Sequence, residues 1–193
     1  MGSDKARLRL GSRSLLQHVR VAAMATGLPV RVIRRDLVPP CGPLGGLYTA
    51  LKTTKHDAIL ALACDMPFVT PDLLKLLVKR FGRRKSLFVS HGGKPGFPFL
   101  LHRTTLPVVA RNIENRRLAI HQLAKSLKSS AITVRPRVHE LSNINTPDEL
   151  EIAISWWTAR AQPEGFGAVL IFGRDRISHR QRNSHVTNQR PGS

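Results

Sequence analysis

Residues 58–64 form an unbroken apolar run, Ala-Ile-Leu-Ala-Leu-Ala-Cys, that stops at Asp65 and is turned away by Met66-Pro67. A run of this length without polar alternation predicts a strand covered on both faces, as at the centre of a largely parallel sheet. Such a strand needs helices on either side, and the flanking sequence supplies them. Leu15, Leu16, Val19, Ala22 and Ala23 recur at helical spacing as far as Gly27, and residues 29–33 then read as a short strand. Residues 42–46, Gly-Pro-Leu-Gly-Gly, read as a turn that opens a helix to about Lys52. Thr70-Pro71-Asp72 is a helix start, with a hydroxyl cap, a proline at the first helical position and an acid near the positive end. Leu73, Leu74, Leu77, Val78 and Phe81 follow before Gly82.

Further along, residues 86–90 and 97–102 are expected to pair as strands around a loop at 92–96. Residues 118–127 read as an amphipathic helix, and 131–135 as another strand. Thr146-Pro147-Asp148-Glu149 has the spacing of a capping box and opens the last clear helix. The expected organisation is one α/β domain over residues 1–157, followed by a basic tail, 158–193, with no periodicity beyond a strand-like stretch at 167–173. That tail is read as disordered and unnecessary for chemistry.

Composition narrows the function. The chain carries 31 Lys and Arg against 12 acids, a net charge of +19. The tail from Thr158 holds only six arginines and two acids, so the charge is spread through the domain and not gathered into one arm. Aromatic residues make up 5% and are not interleaved with the basic ones, which argues against a stacking platform for single strands and makes nucleic acid an unfavoured partner. A polyphosphate substrate is the sharper use of the charge. No stretch reaches the length of a membrane span, no membrane contact is expected, and two cysteines build neither a disulfide framework nor a zinc site. The expected setting is cytoplasmic and reducing. The eight histidines lack metal-ligand spacing, and no nucleophile elbow occurs.

Asp65 is the residue that points to chemistry. In open α/β sheets ligands bind beyond the carboxyl ends of the strands, and a carboxylate held there can coordinate a hard cation whose other ligands are waters and substrate phosphates. Glycines at 42, 45 and 46 let a ligand approach the backbone, and amides at a helix start favour anions.

Five segments in order resemble the molybdenum cofactor guanylyltransferases, within the wider MobA-like group of GTP- and CTP-using nucleotidyltransferases. They are Met1-Gly2-Ser3-Asp4-Lys5, Asp36, Gly42-Pro43-Leu44-Gly45-Gly46-Leu47, Ala63-Cys64-Asp65-Met66-Pro67-Phe68, and Asn143-Ile144-Asn145-Thr146-Pro147-Asp148-Glu149-Leu150. The resemblance implies a three-layer, mostly parallel, Rossmann-like sheet of the nucleotidyltransferase type. It implies that Asp65 holds Mg²⁺ and the nucleotide, and that Lys5 offsets phosphate charge. Asp36 with Gly42, Pro43, Leu44 and Gly45 would contact the nucleoside, guanine being the expected base. Asn143 and Asn145 would border the molybdopterin site. The implied reaction transfers GMP from GTP to molybdopterin with release of pyrophosphate, with transient contact to other molybdenum cofactor biosynthesis proteins.

Two departures from the family pattern stand out. Its first strand and Leu-x-Ala-Gly-Gly loop, which precede the Met-Gly-x-Asp-Lys segment, are not in the sequence, and the interval from Leu16 to Asp36 is short. The expectation is an N-terminally truncated domain, either because the true start lies upstream of Met1 or because the chain is a damaged product. The resemblance leaves open transfer from CTP or to a sugar phosphate, and the alternative from another class is an inactive remnant or basic nucleic-acid binder.

Overall fold

The structure, a computed structural model, describes residues 8–134 and 139–158. It opens on a minimal hairpin, β1 (Arg9–Leu10) against β2 (Arg13–Ser14), turned by Gly11 at φ +66°. Ser14 caps α1 (Leu15–Met24). Its hydroxyl accepts from the Gln17 amide while the Gln17 side chain accepts from the Ser14 amide, which satisfies donors a helix start leaves over. Residues 29–33 do not become a strand: only Arg31 forms an isolated bridge. Within this stretch only Val30 and Ile33 pack on the core, on different clusters and only partly buried, too little burial to order a ladder.

The remaining elements are α2 (Pro43–Thr53), β3 (Ala58–Ala61), α3 (Pro71–Phe81), β4 (Ser86–His91), β5 (Lys94–His102), α4 (Leu106–Glu114), α5 (Ile120–Ser126), β6 (Ser130–Thr133) and α6 (Pro147–Thr158). The cap expected at Thr70 forms, its hydroxyl accepting from the Leu73 amide at 3.2 Å. Residues 42–46 are less a turn than a helix start, because Pro43 already occupies the first turn of α2. Helix α4 has no counterpart in the sequence reading. Its Pro107 and consecutive valines 108 and 109 weaken the helical signal, and tertiary packing of Val109 decides it.

Four strands form the main sheet in the order β3-β5-β4-β6. Strands β3, β4 and β6 point one way, and β5 runs back between them. The reversal follows from the turn. His91 pairs with Lys94, which leaves only Gly92 and Gly93, at φ +56° and +77°, as a two-residue hairpin loop of the type whose twist matches the strands. The loop expected at 92–96 is therefore shorter, and Lys94, Pro95 and Gly96 belong to the ladder. Past Phe88 the register slips: Phe88 faces Phe99 but Val89 faces Gly96, so Phe97 and Pro98 form a bulge. A proline, lacking an amide hydrogen, is tolerated there.

The run at 58–64 corrects the expectation of a central strand. Its ladder covers Ala58–Ala61 and lies at one end of the four-strand order. All four residues are nonetheless buried, because helices cover both faces. On one face Ala58, Leu60 and Leu62 meet Val19 and Ala23 of α1 and Leu73, Leu74 and Leu77 of α3. On the other, Ile59 and Ala61 meet Leu44, Leu47 and Leu51 of α2, Val109 of α4 and Leu123 of α5. The apolar run reports burial of faces, not rank in the sheet, and the result is the three-layer α/β arrangement expected. Phe88 and Phe99 stack at 4.5 Å and 18° in the second layer, a contact worth about 1 kcal/mol beyond its buried area.

A third, smaller core joins the two ends of the described chain. Leu10 and Leu15 pack with Ile144 and with Ala153 of α6, and Trp157 leans on the rim. A Cβ on Gly11 would lie 2.4 Å from the Trp157 indole nitrogen, so hairpin backbone and tryptophan are in direct contact. His18 completes the clasp. Its Nε2 lies 2.8 Å from the Leu10 carbonyl oxygen, and its ring meets Trp157 edge-on at 4.4 Å.

Candidate active site

Strands β3, β4 and β6 end on the same side of the sheet, the side on which an open α/β sheet binds ligands. Asp65 lies there, in a turn four residues past β3, with its Oδ1 shielded from solvent. Its backbone carbonyl accepts a hydrogen bond from the Ile144 amide at 2.8 Å. That bond joins the two most specific segments of the sequence, Cys-Asp-Met-Pro and Asn-Ile-Asn-Thr-Pro. Ile144 is buried in the third core, so its exposed neighbours Asn143 and Asn145 flank a fixed point.

Both asparagines line a cleft of about 630 Å³, walled by Phe68, Phe97, Glu149 and Trp156. This is the size of a small-molecule site, apolar with a few polar groups. Phe97, in the bulge of β5, belongs to its wall. The capping box forms as read. Glu149 accepts from the amides of Asn145 and Thr146 at 2.6 and 2.9 Å, and the Thr146 hydroxyl accepts from the Glu149 amide at 3.1 Å. Glu149 therefore also pins the backbone of Asn145, a role its spacing did not reveal. Thr70 donates to Glu140 and thereby ties the start of α3 to the segment that leads into Asn143.

A second group gathers at the start of α2. Only residues 54–57 separate α2 from β3, so the helix runs back along the strand and its N-terminus lies at the same end of the sheet as Asp65. Gly42, at φ +62°, precedes Pro43. A Cβ on Gly45 would fall 2.2 Å from Asp36 Oδ2 and 3.2 Å from Cys41 Sγ. The close approach that the glycines permit is thus made by Asp36 of this chain, whose carboxylate faces the positive end of α2. The Thr49 hydroxyl holds the same loop by accepting from the Leu37 amide at 2.8 Å. Leu44 is wholly buried, main chain included, so the contact expected of it with a nucleoside is not open in this fold. Burial raises the Cys41 thiol pKa, and the Asp36 charge raises it further.

The structure thus brings Asp65, Asn143 and Asn145 together and gathers Asp36, Gly42, Pro43, Leu44 and Gly45 as a second set, outside the cleft. Lys5, the tail from residue 159 with its strand-like stretch, and position 135 of the expected strand lie outside the described residues. Sequence reading missed Glu149 and Trp156 as cleft residues, since a cap and a helix-face aromatic carry no separate signal of a cavity. Among the described residues no three His, Cys, Asp or Glu side chains converge as a metal cage, and no helix is long and apolar enough to cross a membrane. A carboxylate beyond the carboxyl end of a strand suits a cation that takes most of its ligands from water and substrate oxygens.

Comparison with known proteins gives one family match, the MobA-like NTP transferase domain, over residues 20–131. A probable molybdenum cofactor guanylyltransferase of Methanothermobacter thermautotrophicus is 28% identical over 182 residues, covering 79% of this chain and 91% of its own length. The molybdenum cofactor guanylyltransferase of Vibrio atlanticus is 25% identical over 166 residues, covering 77% and 86%. Among solved structures, molybdopterin-guanine dinucleotide biosynthesis protein A of Archaeoglobus fulgidus superposes with a TM-score of 0.65 at 20% identity, over 82% of this chain and 92% of that one. The 2-C-methyl-D-erythritol 4-phosphate cytidylyltransferase of Thermus thermophilus gives 0.62 at 17% identity, over 83% and 95%.

Proposed function

This chain belongs to the MobA-like NTP transferase family, a family of nucleotidyltransferases, and on that premise we propose that it transfers GMP from GTP to molybdopterin with release of pyrophosphate. The observation that carries the reading is the 2.8 Å bond from the Ile144 amide to the Asp65 carbonyl. It holds the backbone of Asp65, whose carboxylate would serve the nucleotide, against the asparagine segment that would border the acceptor, so that the two substrates would meet at one place. The relatives that bear the guanylyltransferase name support the choice of reaction.

In this reading the acceptor's terminal phosphate attacks the α-phosphorus of GTP in line with the departing pyrophosphate, and no protein nucleophile takes part. The chain's contribution is placement and electrostatics. Asp65 would hold Mg²⁺, which when bound supplies positive charge to the phosphate oxygens. Asn143 and Asn145 offer amide donors and acceptors at the cleft, while Phe68, Phe97 and Trp156 offer flat apolar walls to a planar heterocycle. Asp36, packed against Gly45 beside the start of α2, would accept from the nucleoside, and Lys5 would add charge at the phosphates. The test is turnover of GTP with molybdopterin, with CTP as competitor. Asp65→Ala is expected to lower kcat by about a hundredfold or more. Undiminished transfer by that variant, or a preference for CTP, would overturn the reading.

A further inference from the structure

A second cleft of about 620 Å³ lies between α5 and the start of β5, beside the asparagine-lined cleft, and its lining includes neither Asp65, Asp36 nor the two asparagines. Its wall carries Lys94, His121, Lys125 and Lys128 over a floor that includes Phe88 and Ala131, and none of its lining residues is acidic. Among the described residues, none of these three ammonium groups pairs with a carboxylate. Lys125 lies in the last turn of α5 with His121 four residues before it on the same face, and Lys128 follows just past the helix end.

The backbone adds a second observation. Lys128 takes φ +47° at the position after α5 where glycine is favoured, and the Ser129 amide bonds back to the Ala124 carbonyl at 3.0 Å in the manner of a helix-ending motif. A lysine at a position that favours glycine is thus gathered with two more lysines in one concavity whose lining holds no acid, and an anion in the cleft offsets the repulsion among them. We propose that this cleft is a binding site for a diphosphate group, free or at the end of a small molecule. Three ammonium groups and an imidazole match the charge and the several acceptor oxygens of a diphosphate better than those of a single phosphate. The charges converge in one concavity and do not form a stripe, and no exposed aromatic lines it, which favours a small anion over a nucleic acid strand.

The test uses the full chain carrying Asp65→Ala, in EDTA, so that binding at the nucleotidyl-transfer site does not enter the reading. Calorimetric titration with inorganic pyrophosphate is expected to give one site, weakened by added salt. Lys125→Glu and Lys128→Gly are each expected to weaken binding by about tenfold or more. Glycine suits the backbone at 128, so that variant is expected to unfold at a higher temperature while losing affinity, which separates loss of the site from loss of the fold. Uridine diphosphate binding as tightly as pyrophosphate would identify a diphosphate borne on a larger molecule, and much weaker binding would identify the free anion. Unchanged affinity in the Lys125→Glu, Lys128→Gly double variant, or tighter binding of a short DNA duplex to the same lysines, would overturn the proposal.

Discussion

Gly11 offers the sharpest test of how the ends of the chain are held. Replacing it by alanine introduces two separable penalties. The first is backbone strain, because φ is +66° and a residue with a side chain at such an angle costs about 1–2 kcal/mol. The second is overlap: the new methyl would lie 2.4 Å from Trp157 Nε1 and 2.9 Å from its Cδ1, about 1 Å inside normal contact. The indole cannot retreat without leaving His18 and the small core of Leu10, Leu15, Ile144 and Ala153, and overpacking of this kind costs about 1–3 kcal/mol. Gly27 supplies the control. Its φ is +78°, and nothing lies within 4 Å of its notional Cβ, so Gly27→Ala carries the strain alone. The expected losses are about 2–5 kcal/mol for Gly11→Ala and about 1–2 for Gly27→Ala. Urea unfolding followed by tryptophan emission reads both, since Trp156 and Trp157 are the only two tryptophans. If Gly11→Ala destabilises no more than Gly27→Ala, the hairpin does not rest on Trp157 and the clasp is wrong.

Three more outcomes follow from individual side chains. Burial lowers the pKa of His18 below 6.5, and Arg13 nearby acts in the same direction against the raising effect of the Leu10 carbonyl. The folded state therefore prefers neutral His18. Its stability contribution is full above about pH 6.5 and falls as the pH drops from there toward the lowered value, so His18→Gln should flatten that part of a pH–stability curve. Asp36→Asn should speed alkylation of Cys41, because removing the carboxylate takes away one of the two causes that raise the thiol pKa, while burial keeps the rate well below that of the unfolded chain. Glu149→Ala should cost about 1 kcal/mol as a lost cap and raise the acceptor KM more than it lowers kcat, since the amides of Asn145 and Thr146 lose their shared acceptor.

What could be read from the sequence was what is local. The caps at Thr70 and Thr146 are side chain to backbone bonds within one turn, and both form as spaced. Asp65 was legible because an apolar run stops abruptly at it. Asn143 and Asn145 were legible only through resemblance, and the structure supplies their physical link to Asp65 through the buried Ile144 between them. Strand order was not legible. Residues 58–64 look alike whether the strand lies in the middle or at the end, since helices hide both faces in either case. The direction of β5 depended on two glycines closing a turn tighter than the sequence spacing suggested. The clasp of Gly11, His18 and Trp157 joins segments from opposite ends of the chain, and no local pattern announces such contacts.

The bond between the Ile144 amide and Asp65 has a kinetic consequence. The β4–β5 hairpin closes through a two-residue turn and can form within microseconds, whereas the contact of α6 with the β1–β2 hairpin must close nearly the whole described chain. Segments that join last on a long loop are commonly the first to open in the native state. Deuterium uptake at the Ile144 amide should therefore run well ahead of uptake in the β4–β5 ladder, and should slow when a nucleotide or acceptor draws the two segments together. One backbone proton then serves as a clock for how often the two halves of the site come apart.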